Sequence, residues 1–291
     1  MGLEIDTLRE ADTIAHILAA SARERGGFVI TPNLDHLRQV RRRPELARLF
    51  NSAQLVVADG MPLVWASRLQ GTPLPERVAG SELVWSLTAE AALRGRSVFL
   101  LGGAPGACEQ AEAKLRAVYP GAKLAGHWCP PVGFEYDPRE IDAIRTRIRA
   151  ASPDIVYVAL GFPKQERLIA YLRTEFPATW FIGVGYSLSF IAGHARRAPA
   201  WMMRFGLEWL HRLVQEPGRL ARRYLAQGIP FAFVLFASAL RARMLGTARY
   251  VPASATETEG GVAGDRLRVV FASGSLERSR ADLLAELMAP E

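Results

Sequence analysis

Five side chains that could take part in proton transfer or substrate binding stand directly after, or at the ends of, apolar runs of the sequence. They are Thr31, Asn33, Asp59, Lys164 and Gln165. A carboxylate can accept a proton from an attacking hydroxyl, and hydroxyl, amide and ammonium groups can hold a polar substrate. If the runs are parallel strands, their carboxyl ends border one crevice, where these side chains converge. The pattern therefore predicts a polar site at one edge of a sheet.

Glycine turns follow several of the same runs and offer a second kind of contact. A glycine turn that leads into a helix presents free backbone N–H groups, which suit a phosphate. The candidates for such contacts are Gly102, Gly103, Gly161 and Gly185. Each polar residue also has a purely structural explanation when taken alone. Asn33 could cap the helix that follows, Asp59 with its glycine could be a simple turn, and Gln165 could face water in a first helical turn.

The elements that must position these residues are short apolar runs separated by helical patterns. An N-cap and a first-turn proline, Asp137 and Pro138, begin one of the intervening helices. Near-continuous apolar strands that alternate with helices predict an α/β fold with a mostly parallel, Rossmann-like sheet covered by helices on both faces. The six expected strands lie at 28–31, 55–59, 98–102, 123–127, 155–161 and 180–185.

Several functional classes fit the sequence poorly. The stretch "GVGYSL" has Leu188 where a dinucleotide-binding motif needs its third glycine, so a nicotinamide cofactor is disfavoured. The histidines are scattered and no D-x-D motif occurs, so we expect neither a metal site nor any other cofactor. The two cysteines, Cys108 and Cys129, cannot form a disulfide framework, which indicates a reducing compartment. We therefore expect a cytoplasmic protein.

Basic charge is concentrated in one part of the chain. The net charge is +7, yet residues 193–250 hold ten arginines, no lysine and two acids, which leaves a charge near −1 for the remainder. Such a local excess indicates a binding surface. We expect an α/β catalytic domain at 1–195, a helical, arginine-rich appendage at 196–250, and a linker and tail of unknown role at 251–291.

Within the appendage, the pattern predicts one helix over 200–215, then a break at Pro217 and a second, short helix with arginines on neighbouring positions. An aromatic and apolar stripe on the first helix is expected to pack on the α/β domain; its members are Trp201, Phe205, Trp209 and Leu213. The uncharged run at 229–240 is too short to span a bilayer but long enough to lie in its interface. No other stretch reaches the length of a spanning helix.

Several longer motifs occur in the order found in one bacterial enzyme family. They are "TPNLDHL", "VVADGMPLVWASRLQG", "ERVAGSEL", "LLGGAPG", "PDIVYVALGFPKQE", "GVGYSLSFIAG" and "RRAPAWMMRFGLEWLHRLVQEPGRLARRYL". Over residues 3–245 the chain resembles the WecG/TagA/CpsF family of glycosyltransferases. The resemblance implies transfer of a sugar from a UDP-sugar, such as UDP-N-acetylmannosamine or a related hexose or uronic acid. It further implies a saccharide acceptor on a polyprenyl diphosphate, inversion at the anomeric carbon and no metal.

The resemblance also assigns roles by position. The catalytic base of the family falls on Asp59, and its other active-site positions fall on Thr31, Asn33, Arg77 and Gln165. The family's C-terminal arginines, which close over the diphosphates, fall among Arg212, Arg219, Arg222 and Arg223. Two departures stand out, because Ser189 and Glu82 each replace an Asp found in many members. The first puts the donor preference in doubt if that Asp holds a sugar hydroxyl.

These implications suggest a place in the cell. A lipid-linked acceptor lies at the inner face of the cytoplasmic membrane, so we expect peripheral attachment there, mainly through 224–245. Homo-oligomers are compatible with the aromatic stripe. Two other interpretations stay open: an α/β enzyme on a soluble nucleotide that uses the appendage as a dimer interface, and a nucleic-acid-binding protein. The second leaves Asp59 and Gln165 unexplained, so we expect no nucleic-acid partner.

Overall fold

The structure is a computed structural model that describes residues 2–194, 198–199, 201–202, 206–251 and 266–270. Its centre is a six-stranded sheet in which every pairing is parallel. Its strands are β2 (Gly27–Ile30), β3 (Leu55–Val56), β4 (Ser97–Gly102), β5 (Lys123–Trp128), β6 (Ile155–Ala159) and β7 (Trp180–Gly183). The order across the sheet is β3-β2-β7-β6-β4-β5. Each strand falls on one of the predicted runs, with its ends within one or a few residues of those expected, so the predicted parallel α/β fold is confirmed.

Helices cover both faces of this sheet. Successive strand residues point to opposite faces, so Phe28 and Ile30 enter one apolar core while Val29 enters the other. The helices are α1 (Glu10–Ser21), α2 (Leu34–Arg42), α3 (Ala47–Asn51), α4 (Met61–Gln70), α5 (Gly80–Leu93), α6 (Ala107–Val118), α7 (Pro138–Ala151), α8 (Lys164–Leu172) and α9 (Ser187–Ala192), with 3-10 turns at Pro44–Leu46 and Phe134–Tyr136. As predicted, Asp137 caps α7 by accepting from the N–H of Arg139.

The appendage begins differently from the prediction. The single helix expected over 200–215 is wrong, because the chain turns at Gly206, where φ is +69°, and α10 spans only Glu208–Gln215. Of the expected apolar stripe, Trp201 is 58% exposed, and Phe205 lies outside the described residues. Trp209 packs edge-on against Tyr224 within the appendage. The stripe therefore does not form the continuous contact that we expected.

The second half of the appendage is one long helix. It runs from α11 (Pro217–Ala221) through a π-helical stretch (Arg222–Gly228) into α12 (Ile229–Met244), which packs along α4. Residues Arg222–Met244 are long and apolar enough to cross a membrane by length and composition alone. The prediction that no segment reaches that length is therefore wrong. Because Phe231 and Ala239 are buried, this helix lies against the α/β domain.

A small antiparallel sheet joins the two ends of the described chain. It consists of β1 (Gly2–Asp6), β9 (Arg266–Val270) and β8 (Arg249–Val251), in that order across the sheet. The buried Asp6 carboxylate accepts from the N–H of Val56 and so ties β1 to β3. This strand pairing was not predicted, since β9 lies in the expected tail. Of the linker and tail expected at 251–291, residues 252–265 and 271–291 lie outside the described residues.

Candidate active site

A cavity of about 470 Å³ opens at the carboxyl ends of the parallel strands. That volume lies in the ~300–1,000 Å³ range of small-molecule sites. The structure brings ten of the fourteen site residues proposed from the sequence into its lining: Thr31, Asn33, Asp59, Gly103, Gly161, Lys164, Gln165, Gly185, Arg212 and Arg223. The convergence that we predicted at one sheet edge therefore exists, and it includes side chains from both the α/β domain and the appendage.

Asp59, the base expected from the sequence, lines the cavity. It follows β3, its own N–H donates to the carbonyl of Pro32 at 2.8 Å, and its side chain is 29% exposed. Desolvation raises the pKa of Asp59 to about 7; Glu208 and Glu82 add to the increase, while Arg77 and the N–H of Gly80 oppose it. A carboxylate whose pKa lies near neutral pH is a far better general base than an ordinary one.

Arg77 does not contact the cavity as we expected. Its guanidinium is 14% exposed, lies outside the cavity lining, and is surrounded by carboxylates. Nη2 lies 2.9 Å from Glu82, while Nη1 lies 3.2 Å from Glu208 and 3.9 Å from Asp59. Arg77 therefore belongs to an ion-pair network beside the cavity, and a role for it in substrate binding stays a prediction.

Thr31 and Asn33 line the cavity while also serving the fold. The Thr31 hydroxyl donates to the carbonyl of Gly183 at 3.0 Å and so links β2 to β7. Asn33 caps α2, because its side-chain oxygen accepts from the N–H groups of Asp35 and His36 at 3.0 and 3.3 Å. The capping explanation for Asn33 is therefore confirmed. Neither residue is free to move, which favours a fixed geometry around Asp59.

Gln165 connects two of the glycine turns. Its Oε1 accepts from the N–H groups of both Gly161 and Gly185, at 3.2 and 3.1 Å, and its Nε2 donates to Glu166 at 2.7 Å. Gln165 is buried, and so is Glu166, whose pKa desolvation raises to about 7. The prediction that the Gly161 and Gly185 N–H groups are free for a phosphate is therefore wrong, because Gln165 already occupies them.

The turn after β4 differs from its prediction in the same way. The N–H of Gly103 donates to the carbonyl of Ala159 at 2.7 Å, so it is not free. Gly102 lies outside the cavity lining, and its carbonyl accepts from the thiols of Cys108 and Cys129. At Gly102 φ is +97°, and a Cβ would stand 2.6 Å from the Ala159 carbonyl oxygen. Glycine is needed there for close backbone packing.

Cationic side chains are the remaining groups of the cavity that could bind a diphosphate. In the described part of the chain, Arg212 has no carboxylate partner, and its guanidinium stacks over Phe190 at 5.2 Å and Tyr186 at 5.7 Å. Arg223 pairs with Asp35 at 3.0 Å, and Lys164 pairs with the buried Glu135. Arg222 is exposed and lies outside the lining, which does not fit the expected contact, and the side chain of Arg219 lies outside the described residues.

Residues 1–245 match the family model described as "Glycosyl transferase WecG/TagA/CpsF family". The chain belongs to this family. The protein is therefore a glycosyltransferase, as its motifs predicted. A relative from Bacillus spizizenii is 34% identical over 198 residues, which cover 68% of this chain and 75% of the relative. That relative is an N-acetylglucosaminyldiphosphoundecaprenol N-acetyl-beta-D-mannosaminyltransferase.

Some residues of this glycosyltransferase site were missed by sequence reasoning. Glu208, Glu135 and Asp35 all line the cavity or pair with its cations. Glu208 carried a usable signal, because it is one of two acids in an arginine-rich segment and stands four residues before Arg212, on the same helical face. Glu135 carried none, since it follows no strand and lies in an irregular loop with a 3-10 turn.

Metal binding finds no ready set of ligands in the described residues. No group of three or more His, Cys, Asp or Glu side chains there is arranged to hold a metal ion. That the family's reaction proceeds here without a metal stays a prediction. Three acids at the site surround the guanidinium of Arg77, which occupies the position between them.

Proposed function

We propose that the protein transfers a hexose-type sugar from a UDP-sugar to a saccharide carried on a polyprenyl diphosphate, with inversion and without a metal. The donor is UDP-N-acetylmannosamine, its uronate, UDP-glucose or UDP-glucuronate, and the product serves cell-surface polysaccharide synthesis. The name of the Bacillus relative favours N-acetylmannosamine as the sugar and N-acetylglucosaminyl diphosphoundecaprenol as the acceptor. The observation that carries the proposal is a desolvated Asp59 in one cavity with Arg212 and Arg223.

In this mechanism Asp59 accepts the proton of the acceptor hydroxyl while that oxygen bonds to the anomeric carbon. The bond from that carbon to the UDP oxygen breaks on the opposite face, so the configuration inverts. Such base catalysis contributes about 10²–10⁴-fold in rate. Negative charge grows on the departing diphosphate, and Arg212, Arg223 and Lys164 are positioned to stabilise it.

Membrane attachment follows from the chemistry of the acceptor. We propose that the protein acts in the cytoplasm as a peripheral protein on the inner face of the cytoplasmic membrane. The long helix exposes Leu225, Ile229 and Phe233, and arginines stand near both of its ends. An arginine near anionic lipid gains about 1 kcal/mol, and apolar side chains can enter the headgroup boundary. Packing of the same helix along α4 favours this arrangement over a spanning one.

A donor panel tests the proposed reaction. Each of the four UDP-sugars is offered with a short-chain prenyl-diphosphate N-acetylglucosamine, and the lipid product is separated by chromatography. We expect product with one donor well above the others, persisting when EDTA is present. Product with none of the four, or with all of them only after a divalent cation is added, would contradict the proposal. UDP release without lipid product would indicate an enzyme that acts on the nucleotide alone.

A further inference from the structure

A carboxylate from the appendage reaches the candidate base. Glu208 begins α10, is half-buried and lines the cavity. Its Oε2 accepts from Nη1 of Arg77 at 3.2 Å, across 131 positions of sequence. Within 193–250 the only other acid is Glu216. An acid in such a basic segment, aimed at an arginine beside Asp59, requires a specific explanation.

That explanation lies in how the charge of Arg77 is divided. Nη2 pairs with Glu82 of α5, and Nη1 is the atom nearest both Glu208 and Asp59. Nη1 donates to Oε2 of Glu208 at 3.2 Å. Its distance to Oδ1 of Asp59 is 3.9 Å, which is too long for a hydrogen bond. Among the described residues, the groups facing Asp59 are Arg77, Glu82, Glu208 and the N–H of Gly80. Only Glu208 among them comes from outside the α/β domain.

The position of Glu208 depends on docking of the appendage. Gly206, two residues earlier, lies so close to α4 that a Cβ there would stand 2.7 Å from the Cβ of Met61. Four residues later, Arg212 stacks over Phe190 and Tyr186. These contacts hold α10 over the cavity. Displacement of α10 would separate Glu208 from Arg77 and leave Nη1 available to Asp59.

We propose that Glu208 is a positioning residue. While the appendage is docked, Glu208 occupies Nη1 of Arg77 and keeps the Asp59 carboxylate out of hydrogen-bond contact with that nitrogen, so that Asp59 can act as a base. The inference rests on the proposed function. Glu208 acts through Arg77 and does not itself take part in the reaction. A substrate bound beneath an open appendage meets an Asp59 that is paired with Arg77, so sugar transfer waits for closure.

Carboxyl titration of Asp59 tests this coupling without any turnover. Full-length protein labelled with ¹³C-aspartate is titrated by NMR, and Asp59→Asn identifies the signal. Removing the Glu208 charge with Glu208→Gln takes away a like charge and releases Arg77, so the Asp59 midpoint should fall by about one pH unit or more. Glu216→Gln makes the same change at the other acid of the segment and should leave the midpoint unchanged. Equal midpoints for Glu208→Gln and wild type would overturn the proposal.

The pH–rate profile supplies a second, independent measurement. In Glu208→Gln the acidic limb of kcat/KM should move to lower pH, with a several-fold loss at the plateau because Asp59 becomes a weaker base. A merely structural role would lower kcat/KM equally at every pH, which would contradict the coupling. Gly206→Ala, which pushes α10 away from Met61, should lower the Asp59 midpoint in the same direction. If the midpoints shift yet no donor is used, the proposed reaction fails and the coupling stands.

Discussion

The α/β domain and the appendage of this protein are held together by different forces. In the domain, strand residues such as Phe28, Tyr157 and Phe181 are fully buried on both sides of the sheet. In the appendage, α10 has no buried residue, and the long helix from Pro217 buries Leu220, Phe231 and Ala239. The domain is therefore stabilised by apolar burial, whereas α10 is held mainly by ion pairs and ring contacts. The cavity is lined partly by α10, so its geometry depends on the part of the molecule that has less apolar burial.

The largest expected effect is a loss of sugar transfer, without loss of folding, when the Asp59 carboxylate is removed. Asp59→Asn keeps the side-chain shape but removes the base, so we expect sugar transfer to fall by about 10²–10⁴-fold while the fold is retained. The measurement is lipid product formed per minute, with circular dichroism as a check of folding. Asp142→Asn, at an exposed position of α7, is the matched control and should retain full activity. Unchanged turnover in Asp59→Asn would remove Asp59 as the base.

A pair of truncated side chains tests the contrast in burial directly. Leu87→Ala in the core should lower the free energy of unfolding by about 2–5 kcal/mol, because it leaves a cavity in a fully buried position. Val214→Ala in α10, at a position 74% exposed, should change it by less than about 0.5 kcal/mol. Urea denaturation measures both. Similar losses for the two variants would mean that the appendage is as tightly packed as the domain.

The next effect is on membrane binding, which we attribute to the exposed apolar side chains of the long helix. Phe233 is 71% exposed there, so Phe233→Ser should weaken binding to vesicles containing anionic lipid by about tenfold. Val118→Ser, at an exposed position of α6, removes an apolar group elsewhere and should leave vesicle binding unchanged. Flotation of protein with vesicles reports the bound fraction. Equal binding by Phe233→Ser and wild type would place the membrane contact elsewhere.

The smallest expected effect is a change with pH in the Tm difference between Asp59→Asn and wild type. The folded-state pKa of Asp59 is raised from 3.8 to about 7, so the stability contributed by its protonated form is complete below about pH 4 and is lost as pH rises through 7. Asp59→Asn lacks this titration. Its Tm relative to wild type should therefore increase between about pH 5 and pH 8, by about 3 °C or more. A difference in Tm that is independent of pH would show that Asp59 is not desolvated.

The sequence predicted the elements better than the contacts between them. Continuous apolar runs identify buried parallel strands, and this rule alone brought Thr31, Asp59 and Gln165 to one edge. It could not show that Gln165 would occupy the N–H groups of Gly161 and Gly185, because those partners come from different loops.

Long-range contacts account for the remaining differences. The break at Gly206 depends on contact with Met61 of α4, and the ion pair of Glu208 with Arg77 crosses from appendage to domain. Pairing of β1 with β9 joins residues that are 260 or more positions apart. Local periodicity contains no information on any of these contacts. The family motifs indicated which arginines to consider, but not that Arg77 would be enclosed by acids.

The most direct test of the account is the pH dependence of kcat/KM for transfer to the lipid-linked acceptor in the wild-type protein. If a desolvated Asp59 is the base, kcat/KM rises with pH along a limb whose apparent pKa is about 7 and then reaches a plateau. A profile that is flat between about pH 5 and pH 8, or whose acidic limb lies near the ordinary aspartate value of about 4, would contradict it.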